Sequence, residues 1–559
     1  MPPPPPPVCC ALHNTGAISA AHHALLSRKS ISLIPNGVNM PYERKQLKKK
    51  KRVSNRKLRR DSFSWNRSDY VNLPVPPAPW YTAFMVYFSC LTICFLSWMA
   101  DCLRFYGLIN GKSQQELPTQ RHFPCLHTGF NALYANNIYR LASDVLNRPI
   151  AGVPGAHVEI LERVTKDYGF TYEFTGKKIK AINLGSYNYL GFSQITGSCA
   201  DAAAKAIDDH GIAVPFVNRT QVDFAPQRQL EKEIAQYLGV EDTIIFSQGF
   251  GTNGMNISAL VGPNSLILSD EFNHSSIALG CQLAGATVKV FRHNDPEDCE
   301  RQIVHALMHP TPKDKSGTYD KILIVIEGIY SMEGSIVDLP GFIRVKKRCK
   351  AWLYVDEAHS FGALGRTGKG ITEYWDVDPR EVDVLMGTLT KSFAGSGGYI
   401  GGSQKLVDYL RARSIGSNYG GFLPPAIIGQ VRKALQITQS AEGRRRGAQL
   451  LRNTRYFRRM LQAKGFRITG HLDSPVIPVM TYYLSKVVLF GRVALEGNVA
   501  SVSVGYPATA VNATRARFCV SAEHTKEELD KVLDWIDVIG DLSWSKYGKV
   551  DPHPEWIQY

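Results

Sequence analysis

Two stretches, WLYVDEAHSFG (residues 352–362) and DVLMGTLTKSF (383–393), decide the fold class of this chain. Each begins with a short apolar run, which predicts a buried strand, and continues into small and polar residues, which predict a loop. Similar short apolar runs occur in TIIFSQ (243–248), SLILSD (265–270), TVKVF (287–291) and KILIVIEG (321–328). Amphipathic helical segments such as DCERQIVHALMH (298–309) separate these runs. This alternation predicts an α/β domain with a mainly parallel sheet.

The pattern of alternating apolar runs and helical segments changes after about residue 440. A basic helical stretch is followed by short predicted strands, VIPVMTYYL (476–484) and ARFCVSA (516–522), and by a periodic helix over 524–542. We therefore expect a large α/β domain over residues 150–435 and a smaller α+β C-terminal domain over 436–545.

The net charge of +16 on 559 residues is concentrated at the N-terminus. Residues 1–60 hold 13 Lys and Arg against one acid, Glu43, so the rest of the chain carries only +4. A nearly balanced body lacks the basic surface that nucleic-acid binding requires, and we expect no nucleic-acid partner. With six consecutive prolines and few apolar residues, residues 1–70 are predicted to be a disordered basic leader. A nuclear localisation patch is an alternative for its basic runs.

A membrane-associated apolar segment is predicted over residues 71–110. No charge occurs from Val71 to Ala100, and residues 81–100 are long enough to cross a bilayer of roughly 30 Å. A buried core helix is the alternative. The positive-inside rule places the basic leader in the cytosol, so a full crossing would place the body in a lumen. A monotopic or re-entrant anchor, or a span paired with a partner's helix, would resolve this conflict.

The 11 cysteines favour a reduced, cytosol-facing body without a metal site. They are scattered, and they form no CxxC pair and no Cys/His cluster with zinc spacing.

Chemistry-bearing residues follow several of the predicted strands, where ligands bind in parallel α/β sheets. SQGFGTNG (247–254) offers free backbone N–H groups ahead of a predicted helix. His274 follows the strand SLILSD. Asp356 and His359 come at the end of the strand WLYV, and Lys391 follows the strand VLMG. Each residue alone has a common structural explanation, such as a solvated lysine or a helix cap. Together they meet the needs of pyridoxal phosphate, because a lysine forms its Schiff base and an acid keeps its pyridine nitrogen protonated.

The order of motifs SQGFGTNG, FNHSS, EGIYSMEG, VDEAHSFGALGRTGKG, GTLTKSF and RARFCVSAEHT resembles the α-oxoamine synthases, pyridoxal-phosphate enzymes that condense an amino acid with an acyl-CoA. The resemblance covers residues 150 to 545 and implies the aminotransferase-type fold, fold type I. The segments KSFAGSGGYIGG (391–402) and VGYPATA (504–510) are most similar to the sequences of lysine-bearing subunits of eukaryotic members of the family that use L-serine and palmitoyl-CoA.

The resemblance implies a role for each matching residue. Lys391 would bond to the cofactor and then take the α-proton of the substrate, and His274 would stack on the pyridine ring. Asp356 would pair with the pyridinium nitrogen, and His359 with the phenolic oxygen. The phosphate would be held by Gly249, Phe250, Thr388 and Ser331, and the substrate carboxylate by Arg517 and Asn188, since a guanidinium binds carboxylates in a two-point fork.

The resemblance also implies a heterodimer with a lysine-less partner subunit, small regulatory membrane subunits, and an endoplasmic reticulum membrane location with the catalytic domain facing the cytosol. Two segments depart from the family pattern. Residues 210–231 carry Val222 and Gln227 where Gly and His are typical, and residues 417–426 carry Gly420 and Gly421 in place of an Ala-Thr pair. A non-catalytic scaffold subunit, or a related enzyme that uses another amino acid, is the alternative function.

Overall fold

The computed structural model describes residues 72–108, 129–214, 223–311 and 318–559. The predictions for the leader (1–70) and for Val222 lie outside these residues.

The helices and strands are numbered in chain order. The helices are α1 Trp80–Phe105, α2 Gly129–Leu133, α3 Ser143–Leu146, α4 Ser198–His210, α5 Ala225–Leu238, α6 Gly249–Leu260, α7 Ser275–Ala284, α8 Pro296–Met308, α9 Leu339–Cys349, α10 Ile371–Trp375, α11 Gln404–Arg413, α12 Ile415–Tyr419, α13 Pro425–Gln439, α14 Ala441–Ala463, α15 Leu484–Glu496 and α16 Lys526–Leu542. The strands are β1 Ile150–Ala151, β2 His157–Val164, β3 Glu173–Asn183, β4 Asp242–Phe246, β5 Leu266–Asp270, β6 Thr287–Phe291, β7 Ile322–Glu327, β8 Trp352–Asp356, β9 Val384–Thr388, β10 Gly398–Gly402, β11 Val476–Tyr482, β12 Val499–Ala500, β13 Val502–Val504 and β14 Thr514–Cys519.

A seven-stranded sheet forms the centre of the molecule, in the order β4-β10-β9-β8-β7-β5-β6. Neighbouring strands from β9 through β6 are parallel, and β10 runs antiparallel to both β4 and β9. The six predicted strands are all present, and their side chains supply much of the buried core. The predicted α/β class is therefore confirmed.

The antiparallel strand β10 was not predicted, because its sequence GYIGG reads as a turn. Its glycines allow close packing. A Cβ on Gly398 would lie 2.7 Å from Thr252 Oγ1 and 2.9 Å from the carbonyl oxygen of Gly387. Gly398 pairs with Phe246 on one side and with Thr388 on the other, so β10 joins the ends of β4 and β9.

A three-stranded antiparallel sheet, β11-β14-β13, occupies the C-terminal part, where short strands were expected. It packs against α14, α15 and α16 around a second apolar core. The periodic helix predicted over 524–542 is α16, and Thr525 and Glu528 form a capping box at its start. A further sheet, β1-β2-β3-β12, pairs β3 with β12 from the C-terminal part. The division at residue 435 stays a prediction.

The apolar segment forms α1, a helix of 26 residues. Among the described residues it is the one helix long and apolar enough to cross a membrane, and only 11% of that stretch is buried in the protein. A core helix would be mostly buried, so the exposure of α1 argues against the core-helix alternative.

Candidate active site

Lys391 lies in the loop that follows β9, half-buried at the end of the central sheet. Its Nζ is 5.5 Å from the ring centre of Tyr187. Burial lowers the pKa of Lys391 to about 8, although the carboxylates of Asp356 and Glu327 oppose this shift. An amine with this pKa is partly neutral near physiological pH, and a neutral amine is the form that attacks a carbonyl carbon.

Asp356 ends the neighbouring strand β8 and is buried. Two donors fix its carboxylate: Asn253 Nδ2 donates to Oδ2 at 2.7 Å, and the N–H of Ala358 donates to Oδ1 at 2.8 Å. Because β8 and β9 are parallel neighbours, the ends of these strands bring Asp356 and the loop of Lys391 to one edge of the sheet.

A hydrogen-bonded chain of side chains connects Asp356 with His274. Asn253 Nδ2 also donates to Ser276 Oγ at 2.9 Å, and Ser276 Oγ lies 2.8 Å from His274 Nδ1. Tyr354 OH donates to Asn253 Oδ1 at 2.7 Å and fixes the orientation of that amide. The sequence reasoning did not find the roles of Asn253 and Ser276, although both lie in the motifs SQGFGTNG and FNHSS.

His274 caps the start of α7, and its backbone N–H donates to the buried carboxyl of Glu327. Desolvation by the surrounding protein and the nearby Lys391 lower the pKa of His274. Burial and the neighbouring Asp356 raise the pKa of Glu327 well above its usual range. Glu327 was also missed by the sequence reasoning, since an acid at the end of an apolar strand gives no specific signal.

His359 is buried beside Lys391. Its Nδ1 is 2.8 Å from Tyr189 OH, and the ring of Tyr187 meets it edge to face at 4.8 Å. Burial, with the positive charges of Lys391 and Arg517, lowers the pKa of His359 well below its usual range. The imidazole is therefore neutral at physiological pH.

Arg517, on β14, is buried and stacks its guanidinium 4.9 Å from the ring centre of Tyr187. Its Nη1 donates to the carbonyl oxygen of Ser331 at 3.3 Å, so Ser331 lies on the Arg517 side of the site. Arg517 Nε is buried and has no hydrogen-bond partner among the described residues. A buried donor of this kind favours a bound acceptor such as a carboxylate.

Tyr187, rather than Asn188, lies beside Lys391, His359 and Arg517. The side chain of Asn188 lies against a neighbouring loop, where Nδ2 donates to the Pro154 carbonyl at 3.4 Å and Oδ1 accepts from the Ser193 N–H at 3.3 Å. The role predicted for Asn188 has no supporting contact with Arg517. Successive residues of an extended segment point in opposite directions, and the sequence alone does not say which one faces the site.

The N-terminus of α6 lies against the end of β9. A Cβ on Gly249 would be 2.7 Å from Thr388 Oγ1 and 3.4 Å from the Gly397 carbonyl oxygen. Thr388 Oγ1 donates to that carbonyl at 3.1 Å. Phe250 follows Gly249 in the first turn, and its ring meets the His274 ring at 5.8 Å. Unpaired N–H groups of a first helical turn bind anions, so Gly249, Phe250 and Thr388 fit a phosphate.

The two segments that depart from the family pattern contact each other. Gln227 is buried, and its Oε1 accepts the N–H of Leu423 at 2.9 Å. The carbonyl oxygen of Gly420 accepts from Ser247 Oγ at 2.7 Å, and Gly421 has a left-handed φ of +66°. Gln227 therefore holds the 417–426 loop next to the strand that leads into α6.

Comparisons with known proteins identify the family of this chain. The model of the aminotransferase class I and II family matches residues 179–536. Serine palmitoyltransferase 3 of Caenorhabditis elegans is 47% identical over 85% of this chain and 93% of its own length. Serine palmitoyltransferase 3 of Homo sapiens is 44% identical over 81% of this chain and 83% of its own length.

A solved serine palmitoyltransferase from S. paucimobilis, with a bound PLP–myriocin aldimine, has a TM-score of 0.65 and is 26% identical. The match covers 74% of this chain and 98% of that one. The chain therefore belongs to the aminotransferase class I and II family and, within it, to the serine palmitoyltransferase subunits of the α-oxoamine synthases, which are pyridoxal-phosphate-dependent acyltransferases.

Proposed function

We propose that this chain is the catalytic subunit of serine palmitoyltransferase, which condenses L-serine with palmitoyl-CoA, releases CO₂ and CoA, and yields 3-ketosphinganine. One observation supports the catalytic role over a scaffold role. A lysine with a lowered pKa lies among a fixed carboxylate, a neutral imidazole and a buried guanidinium with an unpaired donor. A scaffold subunit would have no need to bury and position these charges together.

The residues that would hold pyridoxal phosphate surround Lys391. The phosphate would lie at the N-terminus of α6, the carboxylate of Asp356 would face the ring nitrogen, and His359 would face the phenolic oxygen. His274 would pack on the ring. When bound, the cofactor supplies an electron sink that stabilises negative charge on the α-carbon of an amino acid.

The chain's own residues would orient serine and move its proton. Arg517 would bind the serine carboxylate through Nε and a second guanidinium N–H, and the Tyr187 ring would keep the guanidinium plane in place. Lys391 Nζ would take the proton from the α-carbon, since a base with a pKa of about 8 is effective near neutral pH. Ser331 and Asn188 stay predictions for the phosphate and the carboxylate.

We also infer the setting in which the enzyme works. Relatives carry the names serine palmitoyltransferase 2 and serine palmitoyltransferase 3, and numbered forms of one enzyme support a heterodimer with a lysine-less partner. Binding of small regulatory membrane subunits stays a prediction. The exposed apolar face of α1 supports a membrane location, and we propose the endoplasmic reticulum with the body in the cytosol. We propose residues 150–435 and 436–545 as the large and small domains.

Spectroscopy tests the proposal. The chain, co-expressed with a partner subunit and purified with pyridoxal phosphate, should show a visible absorbance band that shifts when L-serine is added. Lys391→Ala should lose the original band. Lys405→Ala, a change at an exposed lysine on α11, is the matched control and should behave as wild type. A wild-type chain that shows no band with the cofactor supplied would contradict a catalytic role.

A further inference from the structure

The apolar helix α1 is held against the folded body at both of its ends. Just before it, Leu73 exchanges backbone hydrogen bonds with Gly470 at 2.9 and 3.0 Å, and Tyr482 OH donates to the Pro76 carbonyl at 3.1 Å. At its far end Arg104 Nη1 donates to Asn137 Oδ1 at 2.7 Å.

Asp101 on the same end of α1 accepts from Asn137 Nδ2 at 3.1 Å. A helix of 26 residues is about 39 Å long, which exceeds the roughly 30 Å of a bilayer core. A helix that crosses a bilayer has its ends on opposite sides. Both ends of α1 contact one folded body, so the contacts do not fit such a crossing.

The inner face of α1 carries small and polar residues. Thr82, Val86 and Ser97 are buried against the body, and they recur at the spacing of one helical face. Between the two ends of α1, an apolar cavity separates this face from the body. Cys90 of α1 lines one side of the cavity, and Val488 of α15 lines the other. The inner face therefore contacts the body at these three buried positions.

The outer face is apolar, broad and uncharged. Its residues Phe84, Leu91 and Trp98 recur every seventh position and are 57% to 71% exposed, as are their neighbours Phe88 and Phe95. Such a face needs an apolar environment. Lipid is the occupant that the chain indicates, because eleven basic residues lie between residues 44 and 60, just before the helix, where they would attract an anionic membrane surface.

We propose that α1 is an in-plane interfacial helix. Its outer face enters one leaflet of the membrane, and the basic leader and the body lie on the same side. This arrangement removes the conflict between the positive-inside rule and a cytosolic body. The proposal does not depend on the catalytic role.

Two measurements on the full chain, co-expressed with its partner, test this topology. Epitope tags at Met1 and Tyr559 are probed with protease in sealed microsomes. We expect both tags to lie on the same side of the membrane. One tag exposed and one protected would show a full crossing and overturn the proposal.

Depth measurements separate an in-plane helix from a re-entrant or covered one. A fluorescent amino acid replaces Phe84, Leu91 or Trp98 in turn, and nitroxide lipids carrying the quencher at shallow or deep positions are added in phosphatidylcholine–phosphatidylserine vesicles. We expect the three positions to be quenched equally, and most by the shallow lipid.

A spanning or re-entrant helix would place Leu91 about 10 Å deeper than Phe84, because seven residues rise about 10.5 Å, and would overturn the proposal. No quenching at any position would show that another protein covers the face, and it would also overturn the proposal.

Discussion

At the scale of single residues, the charge on Lys391 controls how readily the site takes up its cofactor. Burial lowers the pKa of Lys391 to about 8, so at that pH the Lys391 amine is neutral in half of the molecules. An ordinary lysine is half neutral only above pH 10. In the cofactor-free chain, the rate of covalent uptake of pyridoxal phosphate, followed by absorbance, should rise with pH up to about 8 and then level off.

A rate that keeps rising steeply to about pH 10 would show an unperturbed lysine. Lys405→Ala should leave the profile unchanged, because that side chain is exposed and follows the end of β10, which pairs with the start of β9 rather than with the end that leads to Lys391.

Arg517 is expected to determine affinity for the amino acid substrate. Lysine in its place keeps a positive charge but loses the two-point fork, and a hydrogen bond to a charged group contributes about 1.5–3 kcal/mol. Arg517→Lys should therefore raise the KM for L-serine roughly 10-fold or more and leave the KM for palmitoyl-CoA unchanged.

The control for that variant is Arg413→Lys, at an exposed arginine on α11, which should leave both KM values as in wild type. Equal changes in the two KM values in Arg517→Lys would point to a general loss of structure and contradict a carboxylate-binding role.

Much of the site could be predicted from the sequence because parallel strands end at one edge of the sheet. Asp356 ends a strand, and His359, His274 and Lys391 each follow one, so their proximity was predictable. The position of Tyr187 in the site was not predictable, because the side of an extended segment that faces the site depends on packing, which no local sequence pattern records.

At the scale of helices and strands, the contact between α6 and β9 depends on the absence of a side chain at Gly249. In Gly249→Ala the new Cβ would lie 2.7 Å from Thr388 Oγ1, within the space that we assign to the phosphate. We expect cofactor affinity, measured by fluorescence titration, to fall by roughly 10-fold, about 1.4 kcal/mol.

Gly262→Ala is the matched control just beyond the other end of α6, where a Cβ would meet nothing within 4 Å. It should bind the cofactor as wild type does. If Gly249→Ala also retained full affinity, the phosphate would not lie at the N-terminus of α6.

Elements with mixed or glycine-rich sequences were the ones that could not be predicted. β10 has too few side chains to show a strand pattern, and β3 is exposed over most of its length and carries three lysines. Each is a strand because of its neighbours: β10 completes the sheet between β4 and β9, and β3 pairs with β2 and β12.

At the scale of the whole molecule, the excess positive charge and the exposed apolar helix both belong to the N-terminal part of the sequence, which precedes a nearly neutral body. Each basic residue near an anionic membrane contributes about 1 kcal/mol of binding. Replacing the five residues KKKKR (48–52) by glutamine should weaken binding to phosphatidylserine vesicles at low salt and reduce its salt dependence.

Binding to neutral vesicles should change little in that variant, since α1 supplies the apolar contact. Unchanged binding to the anionic vesicles would show that the leader does not act at the membrane surface.

The catalytic role itself is tested most directly by product formation. The chain is co-expressed with a lysine-less partner subunit, supplied with isotope-labelled L-serine and palmitoyl-CoA, and the long-chain ketone product is measured by mass spectrometry. We predict product with wild type and with Lys405→Ala, and none above background with Lys391→Ala. Equal product formation by Lys391→Ala and wild type would contradict the assignment of this chain as the catalytic subunit.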